Sequence, residues 1–272
     1  MLTYENLIAQ AKTRNMPPSK MRGVLREYLQ ILIMKQLNKV ELANKMYFTG
    51  GTYLRLVHDL KRFSEDLDFN TAGLKKKEFE NVVSGVNKEL SRVGIKSEIE
   101  FEHWDNLFVS KIIFPEIEKN YNVISKYSKK SGIIIKFETN RPRWAIKPET
   151  RMITGFGEFY PCACTQMGAL FADKIDALCK KNRGRHLYDI IFMLSNKYPI
   201  DNNVIKSLGI KGNPLEAILN RVKEFSPAEL SRQAEILRPF LFEESEADLI
   251  VSAHKVVPLL VEKYRKAISK QT

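Results

Sequence analysis

Two acidic residues separated by one apolar residue, Asp66 and Asp68, indicate chemistry most directly in this sequence. In an extended chain, residues two apart point to the same face, so the two carboxylates would lie side by side. Neighbouring carboxylates repel each other unless a cation lies between them, and oxygen ligands of this kind suit Mg²⁺ or Mn²⁺. The spacing therefore predicts a divalent metal site. The alternative is an ordinary edge strand, in which acidic and apolar residues also alternate.

A glycine pair upstream of these acids adds a second part to the predicted site. Gly50 and Gly51 follow the apolar segment Tyr47-Phe48 and precede Thr52 and a helical pattern. Glycines let a backbone approach a phosphate closely, and the N–H groups at a helix start bind anions. Together with the two acids, this turn predicts a site for a metal-bound nucleotide.

A third carboxylate is available at Glu138, which follows the apolar run Ile133–Phe137. Three carboxylates that converge on one face of a sheet would hold two divalent ions, and these would orient a triphosphate and activate an attacking hydroxyl. The alternative for Glu138 is a strand end that faces solvent.

The periodicity of apolar residues predicts the elements that position these side chains. One helix with a single buried face precedes the glycine turn, a set of short strands and helices carries the acids, and only helices follow. Helices are predicted at residues 19–38, 51–60, 75–93, 167–180, 187–196 and 246–268, and strands at 47–49, 67–69, 95–102, 108–114 and 133–139. We therefore predict an α+β protein in three segments: a helical lead-in packed on the core (1–45), an α/β core (46–165) and a helical bundle (166–272).

Composition restricts the partners and the location. The formal charge is +12, from 44 Lys and Arg against 32 Asp and Glu, and this excess attracts polyanions such as nucleic acids. Basic residues cluster between Lys180 and Arg185, next to one of the predicted helices. The sequence has neither an apolar run long enough to span a membrane nor a signal pattern, so we predict a cytoplasmic protein without a membrane partner.

The motifs resemble those of the AbiEii/AbiGii nucleotidyltransferase toxin family, within the DNA polymerase β-like nucleotidyltransferase superfamily. The resemblance spans roughly residues 46–196. It rests on three groups of residues, namely Gly50-Gly51-Thr52-x-Leu54, Arg62-x-Ser64-x-Asp66-x-Asp68-Phe69, and Ala172-Asp173-Lys174-x-x-Ala177-Leu178 followed by Arg183, Arg185 and Leu187-Tyr188-Asp189. The fold it implies is a polymerase β-like core, a small mixed sheet with flanking helices, plus the C-terminal bundle.

The same resemblance implies roles for further residues. The glycine turn, including Thr52, would contact the triphosphate together with Ser64, and Lys174 and Asp189 would complete the cleft from the helical segment. Lys174 suits this role because a mobile cation can offset the charge of the β- and γ-phosphates; its alternative is a surface lysine. Asp189 has an alternative structural role, as a helix cap or as a partner of Arg185. His186 stands where the family often has an acidic residue.

By this resemblance, we expect a metal-dependent enzyme that transfers a nucleoside monophosphate from an NTP to a hydroxyl, with Mg²⁺ or Mn²⁺ as cofactor. The acceptor would be RNA, including tRNA, and the protein would act as the toxin of a bacterial toxin–antitoxin or phage-defence system, with a cognate antitoxin as partner. Two alternatives stay open: a metal-dependent nuclease that uses the same acids, and a non-catalytic protein that keeps the fold to bind nucleic acid or an antitoxin.

Overall fold

The computed structural model describes residues 1–104, 107–123 and 132–269. Two compact units make up the chain. The first comprises Met1–Pro142 and Ile146–Thr165, and the second comprises Arg143–Ala145 and Gln166–Thr272. The first unit contains all the strands of the described residues and the second contains helices.

A seven-stranded mixed sheet forms the centre of the first unit, in the order β3-β4-β5-β2-β1-β7-β6. Neighbouring strands are antiparallel except for the pairs β1–β7 and β2–β5, which are parallel. The strands are β1 (Met46–Thr49), β2 (Leu67–Thr71), β3 (Glu98–Trp104), β4 (Leu107–Phe114), β5 (Ile133–Asn140), β6 (Pro148–Gly155) and β7 (Glu158–Thr165). β3 begins three residues later than predicted, because the chain turns at Gly94 (φ 79°) and the three residues before Glu98 are irregular.

The helices of the first unit pack around this sheet. They are α1 (Tyr4–Thr13), α2 (Met21–Leu37), α3 (Gly50–His58), α4 (Lys76–Arg92) and α5 (Ile117–Asn120). α2 contacts α4 and strands β5, β6 and β7. Its buried residues lie on all sides of the helix, so the prediction of a single buried face was wrong. A helix enclosed by neighbours on several sides has no polar face to reveal it.

The hairpin of β6 and β7 was not predicted from the sequence. Its turn residues Phe156 and Gly157 both have positive φ values, 52° and 79°, and Gly155 pairs with Glu158 across the turn. Positive φ at both central residues matches the twist of a two-residue hairpin. The usual signal for this turn is Asn-Gly or Asp-Gly, and β6 is mostly exposed, so neither the turn residues nor an apolar pattern marked it.

The second unit is a helical bundle, as the sequence predicted. Its helices are α6 (Met167–Lys180), α7 (Gly184–Ser195), α8 (Asn202–Ser207), α9 (Pro214–Glu224), α10 (Pro227–Leu237), α11 (Asp248–Val251) and α12 (Ala253–Ile268). The prediction of one continuous helix from residue 246 to 268 was wrong. The chain leaves helical geometry at Ser252 (φ −92°, ψ 14°), whereas apolar residues keep a helical spacing across this break.

None of the helices in the described ranges is long and apolar enough to cross a membrane.

Candidate active site

Two of the predicted acidic residues meet on adjacent strands, β2 and β5. Asp68 on β2 pairs in register with Thr49 on β1 and with Glu138 on β5. In-register partners on adjacent strands share a face, and Asp66, two residues before Asp68, lies toward that face as well. Glu138 pairs with Lys136 (Nζ to Oε1, 3.2 Å) and its side chain is only 22% exposed, so it is not a solvent-facing strand end. The parallel pairing of β2 with β5 thus brings together acids that are distant in sequence.

Gly50 fits directly against Asp68. Gly50 has a φ of 82°, a conformation that residues with a side chain rarely adopt. A Cβ atom at this position would lie 2.9 Å from the Cβ of Asp68 and would overlap its Oδ2 atom. The glycine is therefore required twice, for the backbone turn and for the space that Asp68 fills.

Gly51 makes room for two side chains of the Arg62-x-Ser64 motif. A Cβ at Gly51 would lie 2.8 Å from Nη2 of Arg62 and 2.9 Å from Oγ of Ser64. Arg62 is buried, and its Nη1 donates to the carbonyl of Phe63 at 3.0 Å. A guanidinium group and a hydroxyl group therefore lie at the start of α3, where backbone N–H groups also lack helical partners. This set of donors suits an anion such as phosphate.

The hydroxyl of Thr52 is used inside the protein. Thr52 is fully buried, and its Oγ1 donates to the carbonyl of Asp66. This bond ties the first turn of α3 to the residue just before β2. The side chain of Thr52 therefore positions Asp66. The backbone N–H of Thr52 belongs to the start of α3.

Two positioning residues outside the motifs were not found from the sequence. Gln30 on α2 is buried, and its Nε2 donates to the carbonyls of Ser64 (3.0 Å) and Glu65 (3.1 Å). Glu27, one helical turn earlier, forms a buried ion pair with Arg55 of α3 at 2.8 Å. Both interactions hold the segments that carry the candidate site. The only sequence signal was the presence of polar residues within the otherwise apolar α2.

Asp66, Asp68 and Glu138 together are called the acidic row below. Lys136 is a cation next to this row. Its hydrogen bond to Glu138 is the main cause that raises its pKa, and the charge of Asp66 contributes in the same direction. A protonated lysine next to the acids offsets part of their mutual repulsion.

The acidic row suits a magnesium site that the substrate completes. Within the described ranges, no three His, Cys, Asp or Glu side chains stand close enough together to hold an ion by themselves. Mg²⁺ is, however, commonly bound by one or two carboxylates together with water and substrate phosphates. Asp66 and Asp68 supply oxygen ligands next to the donors at the start of α3, and Glu138 is in register with Asp68 on the neighbouring strand, so two of these carboxylates together with a substrate phosphate fit such an ion.

The second unit contains the other two predicted residues, paired with each other. Nζ of Lys174 on α6 lies 2.7 Å from Oδ2 of Asp189 on α7. Lys174 is 8% exposed and Asp189 is fully buried, so the alternative of a surface lysine is wrong. Lys174 is the partner that the structure gives to Asp189, rather than Arg185. His186 lies one turn before Asp189 on α7 and is also buried.

Removal of one partner from this pair should destabilise the second unit. We expect Lys174→Met to lower the free energy of unfolding by about 3 kcal/mol, because it leaves the Asp189 carboxylate buried without its cation. The double variant Lys174→Met/Asp189→Leu should recover most of that loss, since it removes both charges. Urea unfolding of the four proteins of the double-mutant cycle measures the coupling, and strictly additive effects would contradict a direct pair.

The stability of the protein should also decrease in acid because of His186. Burial, and then the charge of Lys174, lower the pKa of His186 to about 3, while Asp189 opposes and Arg185 and Lys181 reinforce this shift. Below the ordinary histidine pKa of about 6.5, the unfolded chain binds a proton that the folded chain excludes. The contribution of neutral His186 to the free energy of unfolding is therefore complete above a pH of about 6.5. It falls as the pH drops toward 3, and the loss is about 2 kcal/mol at pH 5.

The measurement is the free energy of unfolding between pH 5 and 7.5, for the parent protein and His186→Leu. The variant should lose this part of the slope, and an unchanged slope would contradict the assignment. Burial also lowers the pKa of His58 to about 4. His58 therefore adds the same loss of stability in acid to both proteins, and this loss cancels in the comparison.

Comparison with solved structures identifies the class of fold. MenT4, a nucleotidyltransferase toxin from Mycobacterium tuberculosis H37Rv, matches with a TM-score of 0.61 and 17% identity over 97% of this chain and 93% of its own. JHP933 from Helicobacter pylori matches with a TM-score of 0.56 and 18% identity over 92% of this chain and 96% of its own. At such identities the likeness is one of fold, and that fold is the one found in nucleotidyltransferase toxins.

The family follows from the sequence match. The model of the nucleotidyl transferase AbiEii toxin family, of type IV toxin–antitoxin systems, matches residues 32–248. This chain belongs to the AbiEii family of nucleotidyltransferase toxins, as its motifs predicted. No curated protein sequence matches it.

Proposed function

We propose that this protein transfers a nucleoside monophosphate from an NTP to a hydroxyl group of an RNA, with pyrophosphate as the leaving group. The observation that carries the proposal is the alignment of Asp68 with Glu138 on adjacent strands, directly beside Gly50 and the start of α3. Acids that could hold a divalent ion and donors that could hold a triphosphate thus lie within one unit. The family of the chain supports the same reaction class.

The roles in this proposal follow from the chemistry of each group. Asp66 and Asp68 would hold Mg²⁺ or Mn²⁺, and Glu138 would add a third carboxylate. Such an ion would supply charge stabilisation and would lower the pKa of the acceptor hydroxyl. Arg62 and Ser64, together with the N–H groups of Gly51 and its neighbours, bind phosphate oxygens. In the second unit, Asp189 holds Lys174, which keeps the role that the family resemblance gives it, a cation for phosphate charge.

The test is transfer of label from each of the four NTPs, α-³²P-labelled, to total RNA in the presence of Mg²⁺. We expect one labelled RNA class, no label in excess EDTA, and no label with γ-³²P-NTP because pyrophosphate leaves. Shortened RNA after incubation with Mg²⁺ alone would favour the nuclease alternative. No heat of binding for any NTP with Mg²⁺ would favour a non-catalytic binding protein.

An RNA acceptor is supported by exposed cations at the start of α7. Lys181 and Arg183 are exposed and Arg185 is half-buried, and within the described part of the chain none of the three forms an ion pair. Nearby Asp176 pairs with Lys180 at 2.7 Å instead. Unpaired cations are available to RNA phosphates, and each phosphate contact adds to the salt dependence of binding.

A charge-matched comparison tests this surface. We expect Lys181→Gln/Arg183→Gln to weaken RNA binding and to reduce the slope of log K against log salt by about 1 to 2. The control is Lys76→Gln/Lys77→Gln, which removes the same charge from exposed positions on α4. Equal effects of the two double variants would mean that only net charge attracts RNA.

A cognate antitoxin is the second proposed partner, because the family consists of toxins of type IV toxin–antitoxin systems. We expect expression of the protein to arrest bacterial growth and the gene product next to its own gene to relieve the arrest. Relief without a change in the labelling of RNA in vitro would indicate that the antitoxin acts on the target rather than on this enzyme.

A further inference from the structure

Lys136 on β5 places a cation of the protein itself beside the carboxylates of the acidic row. Its Nζ lies 3.2 Å from Oε1 of Glu138, two residues further along the same face of the strand. The charges of Glu138 and Asp66 both act on this ammonium group. Glu138 in turn is in register with Asp68 on β2. The lysine and a divalent ion would therefore be attracted to the same carboxylates.

The pairing with Lys136 engages Glu138 in the free protein. One oxygen of Glu138 is held by the ammonium group, and within the described ranges no three acidic, histidine or cysteine side chains form a group that could hold an ion. An ion at Asp66 and Asp68 would therefore depend on further ligands, such as the phosphate oxygens of a nucleotide.

Lys136 is able to leave this position. Its side chain is 44% exposed, and that of Glu138 is 22% exposed. An ion pair this accessible to water contributes little to stability, so the fold does not depend on it. The flexible four-carbon stem of a lysine can turn the ammonium group toward another anion while the backbone of β5 stays in place.

We propose that Lys136 is a resident counter-ion of the acidic row and competes with the divalent ion for Glu138. The proposal rests on the proposed function for the presence of that ion. Without nucleotide, Lys136 neutralises Glu138 and repels a second cation, so the protein alone binds the ion weakly. The phosphates of an incoming nucleotide add oxygen ligands, and their negative charge draws the ammonium group away from Glu138. Lys136 thereby makes metal binding depend on nucleotide binding.

The experiment measures Mn²⁺ binding by the full-length chain without nucleotide, from the electron paramagnetic resonance signal of free Mn²⁺. For Lys136→Met we expect an affinity about tenfold higher than that of the parent, because Glu138 is released and one nearby positive charge is removed. Lys136→Arg, which keeps the charge, should bind Mn²⁺ as weakly as the parent.

Lys111→Met is the matched control. Lys111 on β4 is in register with Lys136, but its ammonium group pairs with Glu102 of β3, an acid outside the row. The control removes the same charge one strand further from Asp68. At a salt concentration of about 0.15 M, charges more than about 8 Å apart are largely screened, so we expect less than about a twofold change in Mn²⁺ affinity.

A double-mutant cycle separates the holding of Glu138 from a general effect of charge. In the Glu138→Gln background, Lys136→Met should raise the Mn²⁺ affinity by about twofold or less, because no carboxylate is released. Equal gains in the two backgrounds would overturn the proposal. Unchanged or weaker Mn²⁺ binding by Lys136→Met would overturn it as well, since Lys136 would then not compete with the ion.

Failure of this proposal is distinguishable from failure of the proposed function. If the parent binds Mn²⁺ together with an NTP and labels RNA, while Lys136→Met shows no gain, the proposed function stands and only the role of Lys136 fails. Absence of Mn²⁺ binding with and without NTP, in the parent and in Lys136→Met alike, would overturn both.

Discussion

Asp68→Asn should reduce NTP-dependent labelling of RNA by about a thousandfold or more while the protein remains folded. Asp68 is the central residue of the acidic row, in register with Thr49 and Glu138 and in contact range of Gly50. Asparagine preserves the shape of the side chain but removes the charge that would hold a divalent ion. The loss of several kcal/mol of charge stabilisation in the transition state corresponds to a rate effect of this size.

The stability of Asp68→Asn separates this effect from unfolding. Asparagine keeps the shape of the side chain, so urea unfolding should show that the variant is folded under the conditions of the labelling assay. Glu100→Gln is the control, because Glu100 is an exposed acid on β3 in the same sheet. It should label RNA at the parental rate. Labelling retained by folded Asp68→Asn would exclude the metal site proposed here.

Gly50→Ala should also abolish most of the activity, by about a hundredfold or more, although it adds a single methyl group. The methyl would overlap Oδ2 of Asp68 and lie 2.9 Å from its Cβ, so the carboxylate or the turn must move. A displacement of about 1 Å at a reacting centre is enough for a loss of this order. A side chain at a φ of 82° costs a further 1–2 kcal/mol or so of stability. Transfer rates and urea unfolding measure the two effects.

Gly73→Ala isolates the contact with Asp68 from the backbone effect. Gly73 has a similar φ of 74°, but a Cβ there would meet no atom within 4 Å. Both alanine variants should therefore lose similar stability from the backbone, and only Gly50→Ala should lose activity. Equal activities in the two variants would show that the turn tolerates a displaced Asp68 and would weaken its assigned role.

Much of the secondary structure and the family could be predicted from the sequence. The spacing of apolar residues identified α4, because it has one buried face, and the run from Ile133 to Phe137 identified β5. The motif around Asp66 and Asp68 identified the family, because it combines a glycine turn with paired acids. The β6–β7 hairpin was missed because its turn is Phe156-Gly157 and its first strand is exposed, so neither local pattern was present.

The sequence by itself determined the class of chemistry, since residues two apart on a strand, a glycine pair and a helix start are local features that the chain carries wherever it folds. Only the tertiary structure decided that Glu138 aligns with Asp68, that Gln30 supports Ser64 and Glu65, and that Lys174 pairs with Asp189. Each of these contacts joins two separate elements. They depend on strand register and helix packing. Both are set by the burial of apolar surface across a whole unit, which a short segment of sequence does not reveal.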